Sequence, residues 1–167
     1  MRIAVQLEAP ADSLAAVEYT WDEDTDILSA QLVPSPRGQG MSGSVGLEGA
    51  DGSWLVLDVA AGRINGVEIA VWPDVRTNTS LAPPATIEDA GVLVPSRRSQ
   101  PDIASLEVDT NLIAETDGAE RVFHFRLGKS SGTRTVRIAR DILLDIDSKS
   151  HITGVWLLNV PPAPVQS

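Results

Sequence analysis

The sequence lacks cysteine altogether and has only two histidines in 167 residues. Disulfides and thiolate metal sites are therefore excluded. His124 and His151 do not have a spacing typical of metal ligands, so we predict no metal site. Gly38, Gly40 and Gly43 have the spacing of a dinucleotide-binding loop, but no helical pattern follows them. We therefore predict no cofactor.

Long hydrophobic runs are also missing. The first residues, "MRIAVQLEAPAD", hold only a brief apolar run before Glu8. This run is too short for the core of a signal peptide, and no stretch approaches the length of a membrane span. We therefore expect a cytoplasmic protein with no membrane partner.

Basic residues are few. Thirteen Lys and Arg stand against 23 Asp and Glu, which gives a formal net charge of -10. This charge repels the phosphate backbone of nucleic acids, so nucleic-acid binding is disfavoured. Arg134, Arg137 and Arg140 fall on both faces of a strand and form no single basic stripe. The acidic charge favours a basic protein partner.

The dominant pattern is the alternation of apolar and polar residues, with many β-branched side chains, which is typical of β-strands. It occurs in "DILSAQLV" and "GVEIAVW", while "SWLVLDVA" is apolar on both faces at its centre, as in a buried strand. The second half repeats the manner in "RVFHFRLG", "RTVRIA", "DILLDID" and "GVWLLNV". Only "ADSLAAVEY" and "TIEDAG" carry signals of short helical turns. The sequence therefore predicts an all-β protein.

An internal repeat relates residues 54–72 to residues 142–160. Each segment has an apolar run that ends in Asp (Asp58 or Asp145), a short polar turn, and a Gly-Val pair that opens another strand. The repeat predicts two similar four-stranded antiparallel units, packed as a sandwich or a flattened barrel in one compact domain. The predicted organisation is a first unit at 1–76, a proline-rich connector at 77–102, a second unit at 103–160 and a tail at 161–167.

The segments "YTWDEDTDILSAQL" and "WLVLDVAAGRINGVEIAVW" are similar to a small bacterial family known only as domain of unknown function 2283. The residues that match the pattern of that family are Asp26, Asp58, Gly62, Gly66 and Glu68. The second half of the chain departs from the pattern, because an arginine stands near the first Asp position and a tryptophan replaces the Glu. The resemblance implies a β-rich fold, a duplicated unit and no known catalysis.

The acidic segment "WDEDTD" contains Asp22, Asp24 and Asp26. Their spacing matches the first three ligands of an EF-hand loop, but Ile27 and Val33 occupy the positions that need Gly and Glu. Asp is common in turns, where its side chain accepts hydrogen bonds from the backbone. We predict a hairpin turn; a weak cation site, a surface for a basic partner and a catalytic carboxylate cluster are the alternatives.

Tryptophan is the most frequent aromatic residue, with four Trp against two Phe and one Tyr. Trp72 and Trp156 lie in the two Gly-Val strands, and we predict that they pack at the seam between the halves. Alternatively, Trp21, Trp72 and Trp156 are exposed and anchor a partner together with the acidic segment.

Two functions are compatible with these features. The first is a non-enzymatic protein-binding or regulatory module, monomeric or homodimeric, of the kind that antitoxins and immunity proteins exemplify. The alternative is a small-molecule-binding or hydrolase-like protein with a site between the two repeats. In that case His124 would act with Asp58 or Asp145.

Overall fold

The computed structural model describes residues 3–40, 42–95, 103–107, 112–128 and 133–164, and for 103–107 it describes the backbone alone. The end of the predicted connector (96–102) and the end of the predicted tail (165–167) therefore lie outside the described residues.

All regular secondary structure in the described residues is β. The strands are β1 (Ile3–Ala4), β2 (Gln6–Glu8), β3 (Ala16–Trp21), β4 (Leu28–Val33), β5 (Gly43–Glu48), β6 (Trp54–Ala60), β7 (Arg63–Val71), β8 (Val75–Thr77), β9 (Glu88–Asp89), β10 (Gly91–Leu93), β11 (Ile103–Glu107), β12 (Ile113–Thr116), β13 (Phe123–Arg126), β14 (Arg134–Ala139), β15 (Ile142–Ile146) and β16 (His151–Leu157). The predicted helical turns are wrong, because β3 occupies the end of "ADSLAAVEY" and β9 lies within "TIEDAG". Among these residues no helix is long and apolar enough to cross a membrane.

The strands form two eight-stranded sheets that pack together as a sandwich, as the all-β prediction required. In the first sheet the order is β11-β5-β6-β7-β10-β2, and β4 pairs with both β7 and β3. In the second sheet the order is β8-β12-β13-β16-β15-β14-β9, and β1 pairs with β16. Three short strands lie in or beside the predicted connector. Strands β8 and β9 belong to the second sheet, and β10 belongs to the first.

Both sheets contain five antiparallel strands in the same relative order, β3-β4-β7-β6-β5 and β12-β13-β16-β15-β14. The predicted four-stranded units were therefore too small, and the strand missed in the first unit is β5, which lies in a glycine-rich segment. The prediction of purely antiparallel pairing was also wrong at the edges, where β11, β8 and β9 pair in parallel with β5, β12 and β14. Duplication of a sequence unit stays a prediction.

The core lies between the sheets, because alternate residues of each strand point inward. Its fully buried members include Leu28, Ala30, Leu57 and Ile69 in the first sheet and Phe125, Ile142, Leu144, Val155 and Leu157 in the second. Burial of each large aliphatic or aromatic side chain stabilises the fold by about 2 kcal/mol.

An aromatic cluster closes one part of the seam between the sheets. Trp72 follows β7 and stacks on Trp21 with ring centroids 5.8 Å apart. It also contacts Phe123 and Phe125 of the second sheet at centroid distances of 5.4 and 5.9 Å. Trp72 therefore packs at the seam, as the sequence predicted.

Two side chains of β3 form hydrogen bonds that join the first sheet to the residues that follow β16. The Tyr19 hydroxyl donates to the carbonyl oxygen of Leu158 at 2.6 Å, and Trp21 Nε1 donates to that of Pro161 at 2.9 Å. Burial and the nearby Asp141 carboxylate raise the pKa of Tyr19, so its hydroxyl stays a hydrogen-bond donor.

Candidate functional site

A cleft of about 1020 Å³ lies on the outer face of the second sheet. Strands β13 to β16 form its floor, and connector residues 84–88 form one wall. The floor is made by His124, Thr135, Asp145, Thr153 and Trp156. The cleft therefore lies between the second sheet and the connector. A site between the two repeats, the predicted alternative, stays a prediction.

The floor residues are buried although they lie on an outer face. His124 and Asp145 are each 9% exposed, Thr135 is 7% exposed and Thr153 is 4% exposed. Burial of polar groups costs free energy unless they are hydrogen-bonded, so buried polar clusters in clefts are candidate functional sites.

Asp145 accepts three side-chain hydrogen bonds at the centre of this floor. His124 Nε2 lies 2.7 Å from its Oδ2, while Thr135 Oγ1 and Trp156 Nε1 donate to its Oδ1 at 2.8 and 3.2 Å. Burial alone would raise the pKa of Asp145, but these hydrogen bonds and the charge of His124 together lower it below the usual value. The carboxylate is therefore ionised at neutral pH.

The His124 ring is held in one orientation. Trp156 stacks on it with ring centroids 3.8 Å apart and an angle of 9° between the planes. When the imidazole is neutral, its hydrogen bond to the ionised Asp145 places the proton on Nε2 and leaves the lone pair on Nδ1. Among the described residues, none forms a hydrogen bond with Nδ1. Nδ1 can thus accept a hydrogen bond, or a proton, from a bound molecule.

Strand register brings these side chains together. His124 lies opposite Trp156 on the neighbouring strand, and Asp145 lies opposite Thr135 on one side and Gly154 on the other. A Cβ atom at Gly154 would lie 2.4 Å from Asp145 Oδ2, so glycine leaves the space that the carboxylate occupies.

The cationic groups at the mouth of the cleft are ion-paired. Arg134 pairs with Glu88 of the connector, and Arg126 pairs with Glu115 at 3.3 Å. The first pair links the connector wall to the sheet. In the described parts of the chain, no group of three or more acidic or histidine side chains could hold a metal ion.

Asp58 lies at the equivalent position in the first sheet, opposite Ser44 and Gly66. Its Oδ2 accepts a hydrogen bond from Asn65 Nδ2 at 3.2 Å, in a hollow of about 260 Å³ that Glu68 also lines. This hollow is on the outer face of the other sheet. His124 therefore pairs with Asp145 and not with Asp58.

The acidic segment is the turn of the β3–β4 hairpin, as predicted. Asp22 Oδ1 accepts hydrogen bonds from the backbone N–H groups of Asp24 and Thr25 at 2.8 and 3.2 Å. Asp26 has a φ of 58°, a left-handed conformation that Asp tolerates in turns. Its carbonyl oxygen accepts a hydrogen bond from Trp72 Nε1 at 2.7 Å.

Trp156 does not lie at the seam, so that prediction was wrong. Val155 points inward and is fully buried, and the alternation of the strand therefore directs Trp156 outward onto His124. Sequence reasoning missed Thr135 and Thr153 as parts of the site. Both are hydroxyl residues in predicted strands, but their role depends on which strands are neighbours.

Comparison of the chain with protein-family models and with curated proteins gives no match. The resemblance to domain of unknown function 2283 stays a prediction.

Proposed function

We propose that this protein binds a small polar molecule in the cleft on the outer face of the second sheet. The observation that carries the proposal is the buried His124–Asp145 pair, which leaves one imidazole nitrogen free of bonds to described residues.

The bonding of the floor indicates the chemistry of the ligand. Asp145 already accepts from three donors, so it orients His124 and is not the primary contact. In the neutral form of His124, Nδ1 accepts a hydrogen bond, so a ligand for that form carries a hydroxyl or an N–H group. Ile113, which is 42% exposed, and Pro84 supply apolar walls for the remainder of such a molecule. A carboxylate that orients an imidazole also suits a general base, so a hydrolase-like reaction would be the catalytic form of this function.

The two histidines allow a matched test. We expect small hydroxyl- or amine-bearing compounds found by thermal-shift screening to bind His124→Gln about tenfold more weakly than wild type, because one hydrogen bond is lost. His151→Gln, outside the cleft, should bind them like wild type. Titration calorimetry measures both affinities, and ligands that bind all three proteins equally would contradict the assignment to this cleft.

Protein binding is the second candidate function, and one surface feature favours it. Trp54 and Val71 are cross-strand partners, yet they are 46% and 47% exposed. Glu48 lies opposite Trp54 on the neighbouring strand and is exposed. The acidic turn is bonded to Trp72, the residue after Val71. An exposed tryptophan with carboxylates on the same sheet fits a basic protein partner that has an apolar anchor point, such as the target of a cytoplasmic antitoxin or immunity protein.

This candidate makes a separate prediction. A stoichiometric partner recovered with the tagged protein should bind at least tenfold more weakly when Asp22, Asp24 and Trp54 are replaced by Lys, Lys and Ala. The control is His124→Gln, which leaves this surface intact. Partner affinity that is insensitive to the triple change would remove this surface from consideration.

A further inference from the structure

A second cavity, of about 490 Å³, opens between the two sheets at one end of the sandwich. Its walls come from both sheets: Leu32, Ile64 and Val92 belong to the first sheet, and Ile138 belongs to the second. Leu14, in the segment before β3, completes the apolar lining. Protein interiors are otherwise closely packed, so an open apolar space of this size is a candidate binding site.

The mouth of this cavity has one uncompensated positive charge. Arg63 is engaged, since Nε and Nη2 donate to the Glu8 carboxylate at 2.8 and 3.1 Å and Nη1 donates to the Ala61 carbonyl oxygen at 2.8 Å. Arg37 lines the same mouth and is exposed. Among the described residues no carboxylate forms an ion pair with it.

We propose that this cavity binds a single-chain fatty acid, with the hydrocarbon chain between the sheets and the carboxylate on Arg37. The apolar walls shield the chain from water, which is the dominant favourable contribution to such binding. The guanidinium offers paired N–H donors that match a carboxylate. Ser13 and Ser35 at the rim add hydroxyl groups near the head group. This site is separate from the cleft that contains His124.

Decanoate and decyltrimethylammonium are suitable probes, because they have the same chain length and opposite head-group charges. We expect calorimetry to show saturable binding of decanoate below about 1 mM and at least tenfold weaker binding of the ammonium compound. Arg37→Glu should weaken decanoate binding about tenfold. Arg76→Glu, a control at an exposed arginine of β8, and His124→Gln should both leave it unchanged.

The position of the chain is tested by NMR with a spin-labelled fatty acid. Line broadening of the Leu14 and Ile138 methyl signals would support the cavity. The proposal is overturned by broadening at Ile113 and Trp156, by equal affinity for the two head groups, or by decanoate affinity that Arg37→Glu leaves intact. Absence of saturable decanoate binding would also overturn it. None of these outcomes bears on ligand binding in the His124 cleft, because that binding is tested with a different variant.

Discussion

Replacement of Asp145 by asparagine should lower the free energy of unfolding by about 3 kcal/mol at neutral pH. Asp145 is buried and accepts hydrogen bonds from His124, Thr135 and Trp156. An amide has one acceptor oxygen in place of two, and its NH₂ group would face groups that are themselves donors. At least one buried donor would lose its partner, and the bonds that remain would no longer be assisted by charge.

The loss should depend on pH in a defined direction. The folded-state pKa of Asp145 lies below its usual value, so ionised Asp145 stabilises the folded protein above the unfolded pKa of about 3.9. This contribution disappears as the pH falls through the lower, folded-state pKa. The difference in unfolding free energy between wild type and Asp145→Asn should therefore be constant near neutrality and shrink in strong acid.

Urea denaturation at a series of pH values measures this difference, and Asp58→Asn is the matched control. Asp58 occupies the equivalent position in the other sheet but accepts only the Asn65 hydrogen bond among those described. Its replacement should cost about 1 kcal/mol. A loss for Asp145→Asn no larger than that for Asp58→Asn, or one that persists unchanged in strong acid, would show that the hydrogen-bonded carboxylate does not stabilise the fold.

The strands were predictable where apolar and polar residues alternate, as around β4, β7 and β13, or where consecutive apolar residues form a short run, as around β6 and β15. Strand β5 was missed because Gly43 and Gly46 interrupt the alternation and resemble a loop. Gly46 has a packing reason, since a Cβ atom there would lie 2.7 Å from Trp54 Nε1. The helical turns were predicted from capping residues alone. Burial of side chains, which decides whether a segment forms a helix or a strand, did not enter that prediction.

The candidate site was only partly predictable for a related reason. Alternation within one strand shows that His124 points away from Phe123 and Phe125. It does not show which strand lies beside β13, or that β15 lies two strands away with Asp145 in reach. The sequence therefore left Asp58 and Asp145 as equal alternatives. Register and the position of the connector, both tertiary features, place Thr135 and Thr153 around Asp145 and bury the group.

The two outer faces show how one strand arrangement supports different chemistry. Asp58 and Asp145 each lie between a hydroxyl residue and a glycine on the neighbouring strands. In the second sheet, His124 and Trp156 complete the surroundings of the aspartate; in the first, Ser29 and Glu68 are the corresponding cross-strand pair. Only the second arrangement offers a buried imidazole, which is why we assign ligand binding to that face.

Replacement of Phe125, the residue that follows His124, should have the largest effect on stability. Phe125→Ala should lower the free energy of unfolding by about 4 kcal/mol, because it removes a fully buried ring and leaves a cavity between the sheets. The ring contacts Trp72 from the first sheet, so part of the loss is the aromatic packing that joins the two sheets. Urea denaturation measures it.

Val33→Ala is the control for this change, since Val33 is 49% exposed, and it should cost about 0.5 kcal/mol. Double replacement of Phe125 and Trp72 tests the contact itself. If the rings stabilise each other across the seam, the double variant should lose about 1 kcal/mol less than the sum of the single variants. Additive losses would mean that each ring is stabilised by its own sheet, and that the sandwich is held together mainly by the aliphatic core.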